Sequence, residues 1–423
     1  MTQRVVVTGL GIVAPNGHGL KEYESALRAG KSGIRFIPRL EELNFRCQVG
    51  GAPQGIKEKL PEYFSEEDLF AMNEAMIYGC MAAIDAWTDA GFERPERHSD
   101  SVNWDAGCVL GSGLSGIDTV AEILVPKVNA GKVKRLGGSL VEQTMASSIS
   151  AKLSGLLALG NQVTTNSSAC NTGTEAIHDC FWRIKHGQAV RMLAGGTESS
   201  SPYIWAGFDA MRVLNSDFNS EPARASRPMS ASATGFIPGS GCGVLLLESL
   251  ESAQARGARI YAELLSSVVN CGGHRNGGSM TAPNSESVKR CIRSAVEQAG
   301  IKADQIDAIN GHLTATMADP VEIKNWSEAL ERGPDTFPLI QSTKSMVGHC
   351  LGGAGSIESV AAVLELHKGF LHGSINCEDL HSDIAPFHKS VVQSTKDIDF
   401  SIMAKASFGF GDVNGCLLFK KWI

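Results

Sequence analysis

The chain has 423 residues, 43% of them hydrophobic and 20% charged, which is a globular composition with ample apolar material for a large core. Its formal net charge of −7 excludes the basic excess that a nucleic-acid surface needs to displace phosphate counterions, so no nucleic-acid partner is expected. No apolar run approaches the length of a membrane span and no secretion signal opens the chain, so a cytoplasmic protein without a membrane partner is expected.

The opening RVVVTGLGIVAP reads as a strand and a glycine turn. Strand-like runs CVLGS, VTTNS, RMLAGG and CGVLLLES follow, alternating with helical-period segments such as EAMIYGCMAAIDAWTDAG (74–91), which ends on Gly. The alternation restarts after SLESAQARGA. YAELLSSVV reads as a strand, 287–300 as a helix, IDAIN as a strand and PVEIKNWSEAL as a helix. A further helix ends at ELHKG, and the strands DFSIMAKASFGF and GCLLFKK close the chain. Alternating β and α elements predict an α/β fold with helices covering sheets. No internal repeat is legible in the residues. The polar stretches 66–74 and 93–100 read as solvated helix faces or loops.

Eleven cysteines occur without any CxxC pair, which argues against a disulfide framework and a structural zinc site. Most are expected as small core residues, but the position of Cys170 sets it apart. It lies in VTTNSSACNTGTEAIHDC, after a β-branched run and before a stripe of Ala176, Ile177, Cys180, Phe181 and Ile184 that predicts a helix over 171–186. The first turn of such a helix offers unpaired N–H groups and the positive end of the dipole, which lower a thiol's pKa and favour a nucleophilic thiolate. Small neighbours, Ser167, Ser168, Ala169 and Gly173, leave room for a substrate carbonyl. A buried cysteine in a strand-to-helix turn fits the same pattern, and the residues alone leave both readings open. Two histidines stand out by context: His312, directly after an apolar strand, and His349, in a glycine-bounded turn that leads into a helix. Ends of elements are where α/β folds project catalytic groups, so both outrank His98, His186, His372 and His381, which look like surface residues.

Taken together, these stretches resemble the elongating type of β-ketoacyl-acyl carrier protein synthase, within the thiolase-like superfamily. RVVVTGLGIVAPNG is similar to the family's opening strand, SSACNTGTEAIH to its nucleophile segment and LAGGTES to the strand after it. ARASRPMSASATGFIPGSGCGVLLLESLESAQARGARIYAEL is similar to its central signature, and NGHLTATMADPVE, STKSMVGHCLGGAGSIES and SFGFGDVNG to its three C-terminal active-site loops. The resemblance implies a five-layer αβαβα fold built from two similar halves, 1–255 and 256–423. It implies Cys170 as the acyl-accepting nucleophile, with His312 and His349 as the active-site histidines. Lys344, five residues before His349, matches the family lysine, and Glu322, in an Asp-x-x-Glu stretch with Asp319, its charge partner. Phe408, Phe410 and Gly411 match the mobile glycine-rich loop, with the N–H of Phe410 in the oxyanion hole and its ring as a gate. Leu114 resembles the residue that seals the acyl pocket, and Thr314 and Thr316 those that line the phosphopantetheine channel.

The implied activity is decarboxylative condensation of an acyl-enzyme with malonyl thioester, in fatty-acid or polyketide-like elongation. Its partner would be acyl carrier protein, and its assembly a homodimer, or a heterodimer with a partner subunit. No redox or nucleotide cofactor is implied, because the glycine clusters lack the strand-GxGxxG-helix context, and no metal. Three departures fall on loops that the resemblance places at the substrate channel: Leu313 where the family usually has Gly, a turn from Thr316 to Asp319 one residue short, and Asp412 for a glycine. They point to a specialised polyketide-like or secondary-lipid substrate. The family's basic docking face is replaced by SEEDLFAMNE, which leaves Lys134, Arg135 and Arg212 to meet an acidic carrier protein. Two alternatives stay open: a chain-length-factor-like partner subunit, and a thiolase or simple acyltransferase. A thiolase needs a second catalytic cysteine, which neither Cys350 nor Cys416 is placed to supply.

Overall fold

The computed structural model describes residues 2–97 and 99–423, so His98 lies outside the described residues. Among the described residues the main sheet runs through ten strands, with a short eleventh, Gly17–His18, paired on the end of the first. The first five are β1 (Val5–Ala14), β2 (Ala106–Gly111), β3 (Val163–Thr164), β4 (Arg191–Glu198) and β5 (Gly241–Ser249). The second five are β6 (Ala262–Cys271), β7 (Ala308–Asn310), β8 (Leu339–Gln341), β9 (Ile402–Gly409) and β10 (Val413–Lys421). The first set lines up as β3-β2-β4-β5-β1 and the second as β8-β7-β9-β10-β6. Each set therefore places its third strand at an edge, followed by its second, fourth, fifth and first.

The strand directions repeat as well. β2 runs parallel to β3 and β4, as β7 does to β8 and β9, and the remaining pairs in each set are antiparallel. The two sets meet where Val5–Val7 pairs antiparallel with Ala262–Leu264. A duplication that the residues do not show is thus plain in the topology.

Five helices complete the layers: α1 (Glu74–Asp89), α2 (Thr172–Lys185), α3 (Ser285–Ala299), α4 (Ala318–Leu330) and α5 (Ala354–Lys368). Helix α1 covers the outer face of the first sheet, and α3, with α4 beside it, covers that of the second. Between the sheets, α2 and α5 pack on each other and on both sheets, which gives the order αβαβα. The central position explains composition: every residue of α5 from Ala354 to Leu366 is buried, and a helix surrounded by protein can be apolar on all sides. The two central helices approach closely at glycines. A Cβ on Gly173 would stand 2.7 Å from the backbone nitrogen of Ser356, and one on Gly355 2.3 Å from Thr174 Oγ1. This contact brings the N-terminal ends of α2 and α5 together, and with them Cys170 and His349.

Several local expectations change. VTTNS contributes only Val163–Thr164 to the sheet, the rest being extended loop, and the three-residue strand β8 is an addition. The stretch expected as a solvated face contains a short helix, Glu66–Phe70, whose Asp68 turns inward to pair with Arg97 at 2.7 Å and Lys152 at 3.1 Å. His372 is wholly buried rather than superficial, its ring between Thr343 Oγ1 at 2.9 Å and the carbonyl of Gly373 at 3.1 Å. Ten of the eleven cysteines are buried, and Cys271 is exposed. Among the described residues no helix is long and apolar enough to cross a membrane.

Candidate active site

Equivalent places in the two halves bring Cys170 and His349 together. Cys170 sits in a single 3-10 turn, Ala169–Asn171, that runs directly into α2, and His349 precedes the corresponding turn Leu351–Gly353 that runs into α5. His349 Nε2 lies 3.1 Å from Cys170 Sγ. His312, just beyond the end of β7, places its ring centroid 5.4 Å from that of His349, the two rings nearly perpendicular. All three side chains are buried. One sulfur or ring-nitrogen atom from each lies within 4.8 Å of the others.

The hydrogen bonds around each imidazole fix its tautomer. The backbone N–H of Leu351 donates to His349 Nδ1 at 3.2 Å, so the ring proton resides on Nε2, facing the thiol. His312 Nδ1 faces Lys344 Nζ at 3.5 Å, and an ammonium can only donate, so His312 likewise carries its proton on Nε2. Burial, followed by the charges of Lys344 and Lys405, holds both histidines well below the ordinary pKa, so both are neutral donors at neutral pH.

For Cys170 the expected lowering does not occur. Burial pushes the thiol up to about 11, outweighing the backbone N–H of Phe410, the charge of Lys344 and the N–H of Cys170 itself, which pull it down. A single 3-10 turn, closed off from water, cannot stabilise the thiolate as an open helix end would. The N–H groups of Phe410 and Cys170 nevertheless both bear on Cys170 Sγ.

Glu322 was expected to pair with Lys344, and it does not. Its two carboxylate oxygens accept the backbone N–H groups of His312 at 2.7 Å and Leu313 at 2.8 Å. Asp319 accepts from Thr314 at 2.8 Å, Ala315 at 3.1 Å and Met229 at 2.8 Å. The Asp-x-x-Glu pair at the start of α4 therefore folds the 312–316 loop by collecting its N–H groups. Burial lifts Glu322 to about 7 and Asp319 to about 6, against these N–H bonds. The partner of Lys344 is Glu358, on α5, whose Oε1 lies 2.5 Å from Lys344 Nζ; the other Glu358 oxygen meets Lys405 Nζ, on β9, at 2.8 Å. Lys344 also donates to the carbonyl of His312 at 2.6 Å. Sequence reasoning missed Glu358 and Lys405, although each is a charge inside an apolar run, the signal of a buried ion pair. It also missed Glu198, which accepts from Gly113, Leu114 and Gly352 at 3.0–3.1 Å and ties the loop after β2 to the turn before α5.

A cavity of about 490 Å³ is lined by Cys170, His312 and His349. Its wall is largely apolar, with Phe208, Phe236, Met317 and Val321, and it includes Thr314, Thr316, Phe408 and Phe410. The hydroxyls of Thr314 and Thr316 are 3.0 Å apart. The N–H of Gly411 donates to the carbonyl of Met280 at 2.8 Å, and the ring of Phe410 leans on Phe208 at 6.1 Å. Another cavity, of about 500 Å³, lies among Tyr63, Asp68, Arg97 and Lys152, away from Cys170.

Other expected site residues lie elsewhere. Leu313 does not face the channel: its side chain is fully buried in the core under α3 and α4. Asp412 is buried too, and its carboxylate accepts the N–H groups of Asn284 at 2.7 Å and His274 at 3.0 Å, stitching the glycine-rich loop to a segment whose Thr281, Ala282 and Pro283 line the cavity. Of the three departures, the turn after Thr316 alone presents side chains to the cavity. Leu114 is half exposed and does not line this cavity. Arg212 is exposed between the wall residues Met211 and Val213, whereas Lys134 and Arg135 occupy a separate exposed turn. Cys350 and Cys416 are buried and do not line the cavity.

Comparison with known proteins gives the same arrangement a family. Residues 2–253 match the model of the β-ketoacyl synthase N-terminal domain, and 261–378 that of its C-terminal domain. The chain belongs to the β-ketoacyl synthase family. Its five-layer architecture is the thiolase-like fold, and it is an enzyme of the condensing, acyl-transferring class. It is 35% identical to the 3-oxoacyl-[acyl-carrier-protein] synthase 2 of Vibrio harveyi over 427 aligned positions, covering 99% of each chain. It is 34% identical to synthase 1 of Escherichia coli K12, again over 99% of each. Among solved structures it resembles a β-ketoacyl synthase from Burkholderia phymatum, with a TM-score of 0.90, 27% identity and full coverage of both chains. A ketosynthase solved in complex with a type II polyketide acyl-carrier protein is also similar, with a TM-score of 0.87, 27% identity and full coverage.

Proposed function

We propose that the chain is a β-ketoacyl-acyl carrier protein synthase that extends an acyl chain by decarboxylative condensation with malonyl-acyl carrier protein. The observation that supports this most is the pairing of one thiol with two neutral histidines, both with Nε2–H, in one apolar cavity. In the first half-reaction Cys170 Sγ bonds to the carbonyl carbon of an acyl thioester. The N–H groups of Cys170 and Phe410 stabilise the oxyanion, and the carrier's thiolate leaves with the proton that Cys170 gives up. In the second, the bond from the malonyl α-carbon to its carboxylate breaks. CO2 departs, and the electron pair becomes an enolate whose oxygen accepts from His312 and His349 Nε2–H. The α-carbon then bonds to the acyl carbon, and Cys170 leaves as thiolate. Two neutral donors suit this step, since they stabilise an enolate without offering it an easily lost proton.

Around this centre, Glu322 and Asp319 set the loop that carries His312, Lys344 holds the His312 carbonyl, and Phe408, Phe410 and Gly411 gate the cavity. Thr314 and Thr316 line the approach of a phosphopantetheine arm. Arg212, beside the cavity wall, is the first candidate to meet an acidic carrier protein, with Lys134 and Arg135 further out. The division falls near residue 255, the assembly is a dimer through the edge strand β3, where Leu114 would seal an acyl pocket completed by the partner, and the compartment is the cytoplasm. Fatty-acid and polyketide-like acyl groups both remain candidates for the substrate, since Leu313 and Asp412 no longer argue for the second.

The test is a condensation assay with acyl- and malonyl-carrier protein. A β-ketoacyl product two carbons longer is expected. His312→Ala and His349→Ala should each lower malonyl decarboxylation by about 100-fold or more, with Cys170 acylation partly retained. Absence of any product from the wild-type chain, with product appearing on adding a second ketosynthase subunit, would establish the partner-subunit reading instead.

A further inference from the structure

Lys405 is a lysine in the middle of the buried strand β9, with no exposed surface, three residues before the glycine-rich loop. Its ammonium faces three oxygens: Glu358 Oε2 at 2.8 Å, Ser407 Oγ at 3.2 Å and the carbonyl of Ala406. The Ala406 carbonyl and Ser407 Oγ accept hydrogen bonds from it, and the Glu358 carboxylate faces it as an ion pair. Glu358 is shared with Lys344, so two cations stand on a single carboxylate, and the cluster as a whole is positive. A neutral Lys344–Glu358 pair would have satisfied the local geometry. The second lysine adds a buried charge that costs desolvation and must be retained for another reason.

The cluster lies directly behind the reacting groups. Lys344 Nζ contacts both the carbonyl and Nδ1 of His312. Ser407, which accepts from Lys405, is 2.8 Å from Thr174 Oγ1 in the first turn of the nucleophile helix. Across the sheet, Lys405 is in register with Asn310, two residues before His312.

We propose that Lys405 is a positioning residue of the condensation: a fixed positive charge behind His312 and His349 that keeps both imidazoles neutral, and therefore competent to donate to the enolate, into the acidic range. The idea rests on the role assigned above to the histidine pair. Burial alone already disfavours imidazolium, and the charge of Lys405 acts in the same direction on both rings. The other titratable groups around the pair are Lys344, Glu358, Glu322 with its neighbour Asp319, and the Cys170 thiol. Of these, Glu358 is the anion closest to the lysines, and Lys405 offsets it.

The experiment is the pH dependence of malonyl-carrier protein decarboxylation by the full-length enzyme, for the wild type, Lys405→Met, Lys405→Gln and Lys405→Arg. Removing the charge raises the histidine pKa values, so the acid limb of the neutral variants should move to higher pH by on the order of one unit, as expected for a unit charge at short range in a protein interior. Lys405→Gln keeps a donor for Ser407 and covers the case in which Lys405→Met does not fold. Lys405→Arg should restore the wild-type limb. Should neither neutral variant fold, Lys405→Met combined with Glu358→Gln leaves Lys344 as the one charge behind the pair, and its limb should match the wild type. A folded neutral variant whose acid limb superimposes on that of the wild type overturns the proposal, as does an equal shift in folded Lys405→Arg or in the double variant. A wild type that does not decarboxylate would instead count against the proposed function, so the two failures are distinguishable.

Discussion

Glu322 and Glu358 are both buried, the first bonded to His312 directly and the second linked to it through Lys344, yet they act through different donors. Glu322 takes the N–H groups of His312 and Leu313 and so shapes a loop. Glu358 takes two lysine ammonium groups and so shapes a field. A buried carboxylate bonded to backbone can stay near its protonation midpoint, as Glu322 does at about 7, because amide dipoles only partly offset burial. Glu358, held between two lysines, instead fixes where their ammonium groups sit. The residue type is the same; the donors decide whether it organises backbone or potential.

Breaking the second arrangement should cost most. Glu358→Leu leaves Lys344 and Lys405 buried without a counter-ion, and stability should fall by about 3–5 kcal/mol, read by denaturant unfolding; a loss below about 1 kcal/mol would contradict the ion-pair geometry. Glu322→Gln keeps the shape but supplies one carbonyl oxygen for two N–H groups, so a loss of about 1–3 kcal/mol is expected. Malonyl decarboxylation should fall with it, while acylation of Cys170 persists.

The same substitution separates the two carboxylates by pH. The folded pKa of Glu322, about 7, is raised above its ordinary value of 4.5, so the folded state binds the proton more tightly. Its contribution to stability is present below pH 4.5 and is lost as pH rises through 7. Glu322→Gln should therefore lose less stability than the wild type between pH 5 and 8, as measured by Tm across that range. Parallel Tm curves would show that Glu322 does not ionise there. Smaller effects are expected at the loops. Asp412→Gly frees the N–H groups of His274 and Asn284, whose hydrogen exchange should accelerate with a stability loss of about 1–2 kcal/mol. Charge reversal at Lys134 and Arg135 should leave Tm within about 0.5 kcal/mol equivalent while weakening carrier-protein binding in a salt-dependent way; unaltered binding would place docking elsewhere.

Much of this site was legible in the chain. Cys170 announced itself by a strand-like run before an apolar helical stripe, and His312 and His349 by their places after a strand and before a helix. What could not be read was which charges meet in space. Glu358 is nearer Lys344 in sequence than Glu322 is, yet only the packing of α5 shows that it supplies the charge that meets Lys344, because α5 buries two carboxylates, Glu358 and Glu365, among its apolar residues. Lys405 carried the same signal within β9, but a lone charge in a strand does not name its partner. The duplicated strand order was hidden because topology is kept by hydrophobic pattern while residue identity drifts, and β8 because three residues are too few to establish a period. The thiol pKa was misjudged because burial, a property of the whole fold, outweighs the local benefit of a helix start.

In the proposed reaction Cys170 carries the acyl group between the two half-reactions. Intact-protein mass on the wild type and Cys170→Ala, after incubation with a panel of acyl-carrier protein thioesters and then malonyl-carrier protein, tests it directly. An acyl mass is expected on the wild type alone, discharged by malonyl-carrier protein into a product two carbons longer. An acyl mass that persists on Cys170→Ala, or a wild type that no donor acylates, would contradict it.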